Sequence, residues 1–241
     1  QERPVKTVAY VGALGANVGN TEPGDSLTKF FQIVCTLVMQ VASIIGNDIE
    51  VLAERLAARE VNRIALPPGV TPAAVLVPIV GVGRDAALLF TERSNLVSDH
   101  KGQISFPGGR VEAFDADEQA AALREAEEEI GVARRSIRVL GMLDDTVTIT
   151  GFRITPVVGL LSQSGPWKWN EGEIQSVFTV RIAELIASET YGSEAITIHV
   201  AGVPVALPAF VVGPHRIWGA TCRIVLDFLD AALGWKPEVQ Q

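Results

Sequence analysis

Four glutamates crowd into five positions near the end of one helical pattern: Glu125, Glu127, Glu128 and Glu129. The stretch 115–132, DADEQAAALREAEEEIGV, predicts an amphipathic helix. Asp115 is placed to act as N-cap, with Glu118 three residues later as its capping-box partner. Gly131 is a natural residue to close the helix. Ala122, Ala126 and Ile130 recur at i, i+4 and i+8 and give an apolar face. Glu125, Glu128 and Glu129 share another face, and Glu127 points elsewhere. For stability alone this is a poor arrangement. Glu125 and Glu129 are a like-charged i,i+4 pair, worth a few tenths of a kcal/mol of destabilisation. Acids at a helix C-terminus oppose its dipole by about 0.3–1 kcal/mol each. Hard divalent cations, which prefer oxygen ligands, would cancel both penalties. For the run taken alone a solvated acidic face is the favoured reading, and the helix by itself does not decide for a cation site. Arg124 is either a surface charge or an organiser of the carboxylates and the loop before them.

That loop carries Phe106, Pro107, Gly108 and Gly109. Paired glycines let backbone approach a ligand closely and offer N–H or C=O groups to a phosphate or a metal. An ordinary tight turn is the other reading.

Several elements are needed to position this loop and helix. Apolar, β-branched runs at 74–82 and 86–90 predict two strands, and 103–106 a short third. After the helix, 139–143, 154–161 and 177–181 read as strands and 182–188 as a short helix. Residues 203–212 read as a late strand or hairpin. Amphipathic helices are expected at 48–63 and 217–233. The irregular alternation indicates a mixed α/β layer fold. Upstream, 1–46 reads as a separate N-terminal extension and 47–241 as the main domain. Residues 30–45 are almost wholly apolar, with Gln32, Thr36, Gln40 and Ser43 as one narrow polar stripe. A helix buried in a core or subunit interface is expected there, with a membrane-associated helix as the alternative, since the run is slightly short for a span. Glycines at 12, 15 and 19 lack the GxGxxG spacing.

Composition bounds the rest. A chain of 241 residues that is 48% hydrophobic and 20% charged suits a globular protein. Its formal net charge of -8 argues against non-specific nucleic-acid binding, for want of excess cations. The two cysteines, Cys35 and Cys222, suggest neither a zinc site nor a disulfide framework. No signal peptide is expected, because the first apolar run lies far from Gln1 and lacks a basic flank. A reducing, cytoplasmic setting is expected from the cysteine usage. His199 and His215 show no partners and read as structural, and the four Trp as core or interface.

Loop and helix together resemble a Nudix box: G, five residues, E, seven residues, then REUxEExGU with U aliphatic. Residues 124–132, from Arg124 to Val132, fill every fixed position of the second half, with Ala126 as a small stand-in for an aliphatic. The first half departs. One extra residue lies between Gly109 and Arg124, and Asp115 replaces the isolated Glu. The stretch 88–109, LLFTERSNLVSDHKGQISFPGG, resembles the additional signature of the coenzyme A pyrophosphatase branch of that family. Leu88, Leu89, Thr91, Arg93, Ser94, His100, Gly102, Gln103 and 106–109 agree, while Ser98 stands where many members have a basic residue. Residues 67–78, 151–159 and 217–219 add to the likeness, and residues 1–46 lie outside it.

The resemblance implies an α/β fold, a Nudix-like α/β/α sandwich with a mixed β-sheet. It implies Mg²⁺ or Mn²⁺ at Glu125, Glu129, Glu128 and Gly109, with Glu128 or Glu129 activating water and Arg124 beside them. It implies substrate contacts from Arg93, His100, Gly102, Gln103, Phe106, Pro107 and Gly108. The expected reaction is cleavage of the pyrophosphate of coenzyme A or acyl-CoA. Another nucleoside diphosphate derivative, such as ADP-ribose or NADH, is the competing substrate class, and a non-catalytic binding module the competing protein class. The expected partner is a small molecule, with no nucleic acid, no membrane, and a homodimer left open.

Overall fold

The computed structural model describes residues 49–94, 102–187, 190–200 and 202–237. The apolar stretch 30–45, Ser98 and His100 lie outside the described residues.

Helix α1 (Ile49–Ala58) precedes strands β1 (Thr71–Val80), β2 (Ala87–Arg93), β3 (Ile104–Ser105) and β4 (Gly108–Arg110). Helix α2 (Glu118–Ile130) follows, then β5 (Ile137–Met142), β6 (Thr146–Val147), β7 (Phe152–Leu161) and β8 (Ile174–Arg181). A single-turn helix α3 (Ile182–Leu185) leads into β9 (Tyr191–Val200), β10 (Val203–Val212), β11 (His215–Trp218) and the closing helix α4 (Gly219–Leu233). The main sheet runs β3-β2-β1-β7-β5, with β4 on β1, β6 on β7 and β8 on β2. It is mixed: β1 and β7 are parallel over nine paired positions, from Thr71–Phe152 to Ile79–Leu160, and the other pairs are antiparallel. Strands β9 to β11 form a second, antiparallel sheet in the order β11-β10-β9.

Side chains of successive strand residues point to opposite faces, so each central strand feeds two cores. On one face Ala74, Leu76, Val80, Leu89 and Val157 meet Ala121, Ala122, Ala126 and Ile130 of α2. On the other, Val77, Ile79, Leu88, Phe90 and Val158 meet Leu52 and Leu56 of α1, Phe210 of β10, and Ile224, Val225, Phe228 and Leu229 of α4. This is the expected layered sandwich. No helix among the described residues is long and apolar enough to cross a membrane.

Several local expectations change. The N-cap of α2 is Asp117, whose Oδ1 accepts from the Ala120 N–H at 2.7 Å, not Asp115. Asp115 lies two residues earlier because its carboxylate is engaged by Arg124 instead. Gly131 does close the helix in the left-handed region, at φ 68°. Any Cβ there would lie 2.6 Å from the Lys168 carbonyl oxygen, so glycine is needed for space as well as for conformation. Gly108 and Gly109 are part of a strand paired to β1, not a simple turn. Strand β9 is an addition to the expected elements, although Ile196, Ile198 and Val200 alternate there with Thr197 and His199.

Candidate active site

Helix α2 lies on the sheet through alanines, which let its backbone approach closely and bring the residues between them to the sheet edge. Arg124 is thereby buried, with its side chain 8% exposed. Its Nε and Nη2 donate to Asp115 Oδ1 and Oδ2 at 3.0 and 2.9 Å, a two-pronged pairing. Nη2 also donates to the Arg110 carbonyl at 3.0 Å. Nη1 donates to Glu125 Oε1 at 2.8 Å and Glu128 Oε2 at 3.2 Å. One guanidinium therefore joins the loop before the helix to two of the glutamates on it. These hydrogen bonds hold the Asp115 carboxyl below the usual carboxylate range. They raise the Arg124 pKa as well, against its burial.

The three glutamates differ in setting. Glu128 is the open one, with 59% of its side chain exposed. Glu125 is half-buried; burial raises its pKa, and the Arg124 hydrogen bond opposes that rise. Glu129 is 5% exposed, and its Oε2 accepts from the Gly108 N–H at 3.1 Å. Burial pushes its carboxyl up to about 8 despite that bond, and the nearby charges of Glu125 and Glu173 add to the rise. Gly109 packs directly against the Glu125 carboxyl group, where any Cβ would collide with it. Both glycines of the loop thus serve carboxylates of the helix, one by donating an N–H and one by making room.

Of the other expected site residues, Arg93 ends β2, and its backbone exchanges hydrogen bonds with Gln103 O and Gly102 N at 3.0 and 3.1 Å. Arg93 is near enough to Glu129 to favour its charged form. Phe106 is placed differently from the expectation. Its ring is buried and stacks on Phe90 at 4.8 Å, so it supports the loop from beneath instead of facing a ligand. Pro107 is buried too, its carbonyl accepting from the Leu76 N–H at 2.8 Å.

Sequence reasoning missed two supports. The segment 167–173 reaches the end of α2, where the Asn170 N–H donates to the Glu129 carbonyl at 3.0 Å. At the start of α2, Glu118 accepts from Arg153 at 2.7 Å. Arg153 is also ion-paired, at 3.7 Å, to Asp145. The fully buried Asp145 carboxylate in turn accepts from Thr155, Arg63 and the Ile64 N–H at 2.7 to 3.0 Å. No helical or strand spacing marks these residues, because Arg63, Glu118 and Glu129 reach them from distant parts of the chain.

Among the described residues no three His, Cys, Asp or Glu side chains converge as a ready metal cluster. Glu125 and Glu128 are turned to Arg124, and Glu129 to Gly108. The donor set is nonetheless all oxygen, the chemistry of a hard divalent cation. A buried carboxylate with a raised pKa is also one that a cation would discharge. The residues fit such an ion, with Arg124 as the competitor for two of the three carboxylates.

The family model described as NUDIX domain matches residues 70–197. A curated relative, "Uncharacterized Nudix hydrolase NudL" of Salmonella paratyphi B, is 34% identical over 165 residues, 68% of this chain and 84% of the relative. Solved structures similar to it include a MutT/nudix family protein from Enterococcus faecalis, with TM-score 0.46, 12% identity, and coverage of 90% of this chain and 76% of that one. The NUDIX domain of Shewanella oneidensis NrtR, complexed with ADP ribose, has TM-score 0.40 and 18% identity over 56% of this chain and 85% of that one. The domain match over more than half of the chain and the 34% identical relative agree with the box built around Arg124, and the chain belongs to the Nudix family as a hydrolase of nucleoside diphosphate derivatives.

Proposed function

We propose that this Nudix hydrolase cuts the pyrophosphate of coenzyme A or an acyl-CoA, giving 3′,5′-ADP and (acyl-)4′-phosphopantetheine, in the cytoplasm. The observation that carries the reading is Arg93. It belongs to the 88–109 signature, lies beside Glu129, and has a buried Nε that meets no hydrogen-bond partner among the described residues. A buried guanidinium N–H left unpaired is costly, and a substrate phosphate oxygen would satisfy it. Gly102 and Gln103, bonded to the Arg93 backbone, belong to the same contact, and His100 and Gly108 complete the expected set.

Mg²⁺ or Mn²⁺ would be held by Glu125, Glu129, Glu128 and Gly109. When bound it would supply Lewis-acid chemistry, activating water and offsetting the negative charge of the phosphates. The chain's own residues divide the remaining work. Glu128, the most exposed of the trio, is open to solvent and would take a proton from water. Glu129 is held in place by Gly108. Arg124 orients Glu125 and Glu128 and ties them to the loop through Asp115.

Incubation of the purified protein with coenzyme A, an acyl-CoA, ADP-ribose and NADH, each with Mg²⁺ or Mn²⁺, tests the assignment by mass identification of products. Release of 3′,5′-ADP with the highest kcat/KM for coenzyme A or its thioesters is expected. Faster turnover of ADP-ribose or NADH would sink the substrate assignment and leave the hydrolase.

A further inference from the structure

The loop between β4 and α2 exposes Phe114, 76% accessible, directly beside the most buried cation of the site. The ring lies over the Arg124 guanidinium, its centroid 5.4 Å from Cζ. Its backbone position is fixed from both sides. Asp115 N–H donates to Glu112 O at 3.0 Å, Glu112 N–H donates to Asp115 Oδ2 at 2.9 Å, and the same Asp115 carboxylate is gripped by Arg124. Phe114 thus sits in a closed turn pinned to the side chain that also holds Glu125 and Glu128. Such a turn needs only small or polar residues; a large apolar ring left in water gains nothing from burial there. An aromatic ring with one side over a cation and most of its surface open is a stacking platform for a planar base.

We propose that Phe114 stacks on the adenine of the diphosphate substrate at this site. The inference rests on the reading of the site as one for an adenine-bearing pyrophosphate. The phosphates would lie over the carboxylates, and the base would extend back along Arg124 to the ring. The extra residue between Gly109 and Arg124 belongs to the segment that carries Phe114 out to this place. An acyl or pantetheine chain is the other group an exposed ring could meet, and it is an outcome of the test.

Phe114→Ala, Phe114→Leu and Phe114→Tyr separate these outcomes. KM is measured for coenzyme A and ADP-ribose, and binding of 3′,5′-ADP and of 4′-phosphopantetheine is followed by calorimetry. Stacking predicts that Phe114→Ala raises KM by about 5- to 100-fold and weakens 3′,5′-ADP by a like factor. It further predicts that kcat and 4′-phosphopantetheine binding hold within about threefold, and that Phe114→Tyr restores both values. If Phe114→Leu equals the wild type, or only 4′-phosphopantetheine binding weakens, the contact is apolar and the inference is overturned. A loss confined to kcat overturns it too, since that would mark support of Arg124. Cleavage of ADP-ribose but not coenzyme A, with KM still sensitive to Phe114→Ala, would overturn the substrate assignment and uphold the stacking. A wild type that neither cleaves nor binds any adenine diphosphate overturns both.

Discussion

The two faces of the main sheet are built on different principles. Helix α4 covers one face with Ile224, Val225, Phe228 and Leu229, and α1 adds Leu52 and Leu56. Helix α2 covers the other with alanines and Ile130, and buries Arg124 and Glu129 alongside them. The α4 face gains its energy from large apolar side chains. The α2 face gives up much of that gain, because alanines bury little area and a buried carboxylate opposes folding unless it is compensated. What it gains is position: a guanidinium and three carboxylates held at the sheet edge by hydrogen bonds. Stability and chemistry are thus separated by the thickness of one sheet, and substitutions on the two faces should separate in the same way.

The largest expected effect is on the α2 face. Glu129→Gln should lower kcat/KM by about 10³-fold or more, by analogy with the loss of a principal electrostatic group. The same change should stabilise the protein when divalent metal is chelated. The Glu129 carboxyl is raised to about 8 from an ordinary 4.5. The folded state therefore binds the proton more tightly than the unfolded one, and stability falls as pH rises from about 4.5 to about 8. At pH 8.5 with chelator, Glu129→Gln should melt about 3–8 °C higher than the wild type by calorimetry. At pH 4 the two should melt together. Saturating Mg²⁺ should reverse the order at pH 8.5, and an unchanged order would break the assignment of Glu129 to the metal.

Next in size is Arg124→Met, which strands Asp115 and Glu125 without their cation. Removing one partner of a buried ion pair costs about 3–5 kcal/mol. Both melting temperature and kcat/KM should drop, the latter by about 10²-fold. On the opposite face Phe228→Ala should cost a similar ~3–5 kcal/mol in denaturant unfolding. Its kcat/KM per folded molecule should stay within about twofold. Loss of activity there in excess of loss of folded protein would show that the faces are coupled. Gly131→Ala is smaller, about 1–2 kcal/mol, for a positive φ and a contact with Lys168. The smallest effect concerns Cys222, whose thiol burial pushes up to about 12. Peptide-mapped alkylation at pH 8 should modify it far more slowly in the folded protein than in urea.

Much of this was readable before any coordinates. The apolar face of Ala122, Ala126 and Ile130 marked a helix, and Gly131 marked its end. Arg124 and the glutamates stood at the spacing of the Nudix box. The places of failure have physical causes. Asp115 and Asp117 are equally good N-caps by type, and only the approach of Arg124 decided which was free for the role. Phe106 lies in the motif, yet whether its ring faced ligand or core depended on Phe90 across the sheet. Asp145, Arg153 and Asn170 could not be found, since their partners lie 8 or more residues away on other elements or loops and share no period with them.

The sequence by itself determined the family, the helix of the Nudix box and the identity of its charged residues, because helical spacing and side-chain chemistry are local properties. Tertiary structure alone decided how each charge is held. Glu125 and Glu128 lie against Arg124, Glu129 against the Gly108 N–H, and the Phe114 ring stands in water at the rim. Burial, hydrogen-bond partners and the resulting shift of a carboxyl pKa depend on segments that fold together from far along the chain, and no spacing within one helix encodes them.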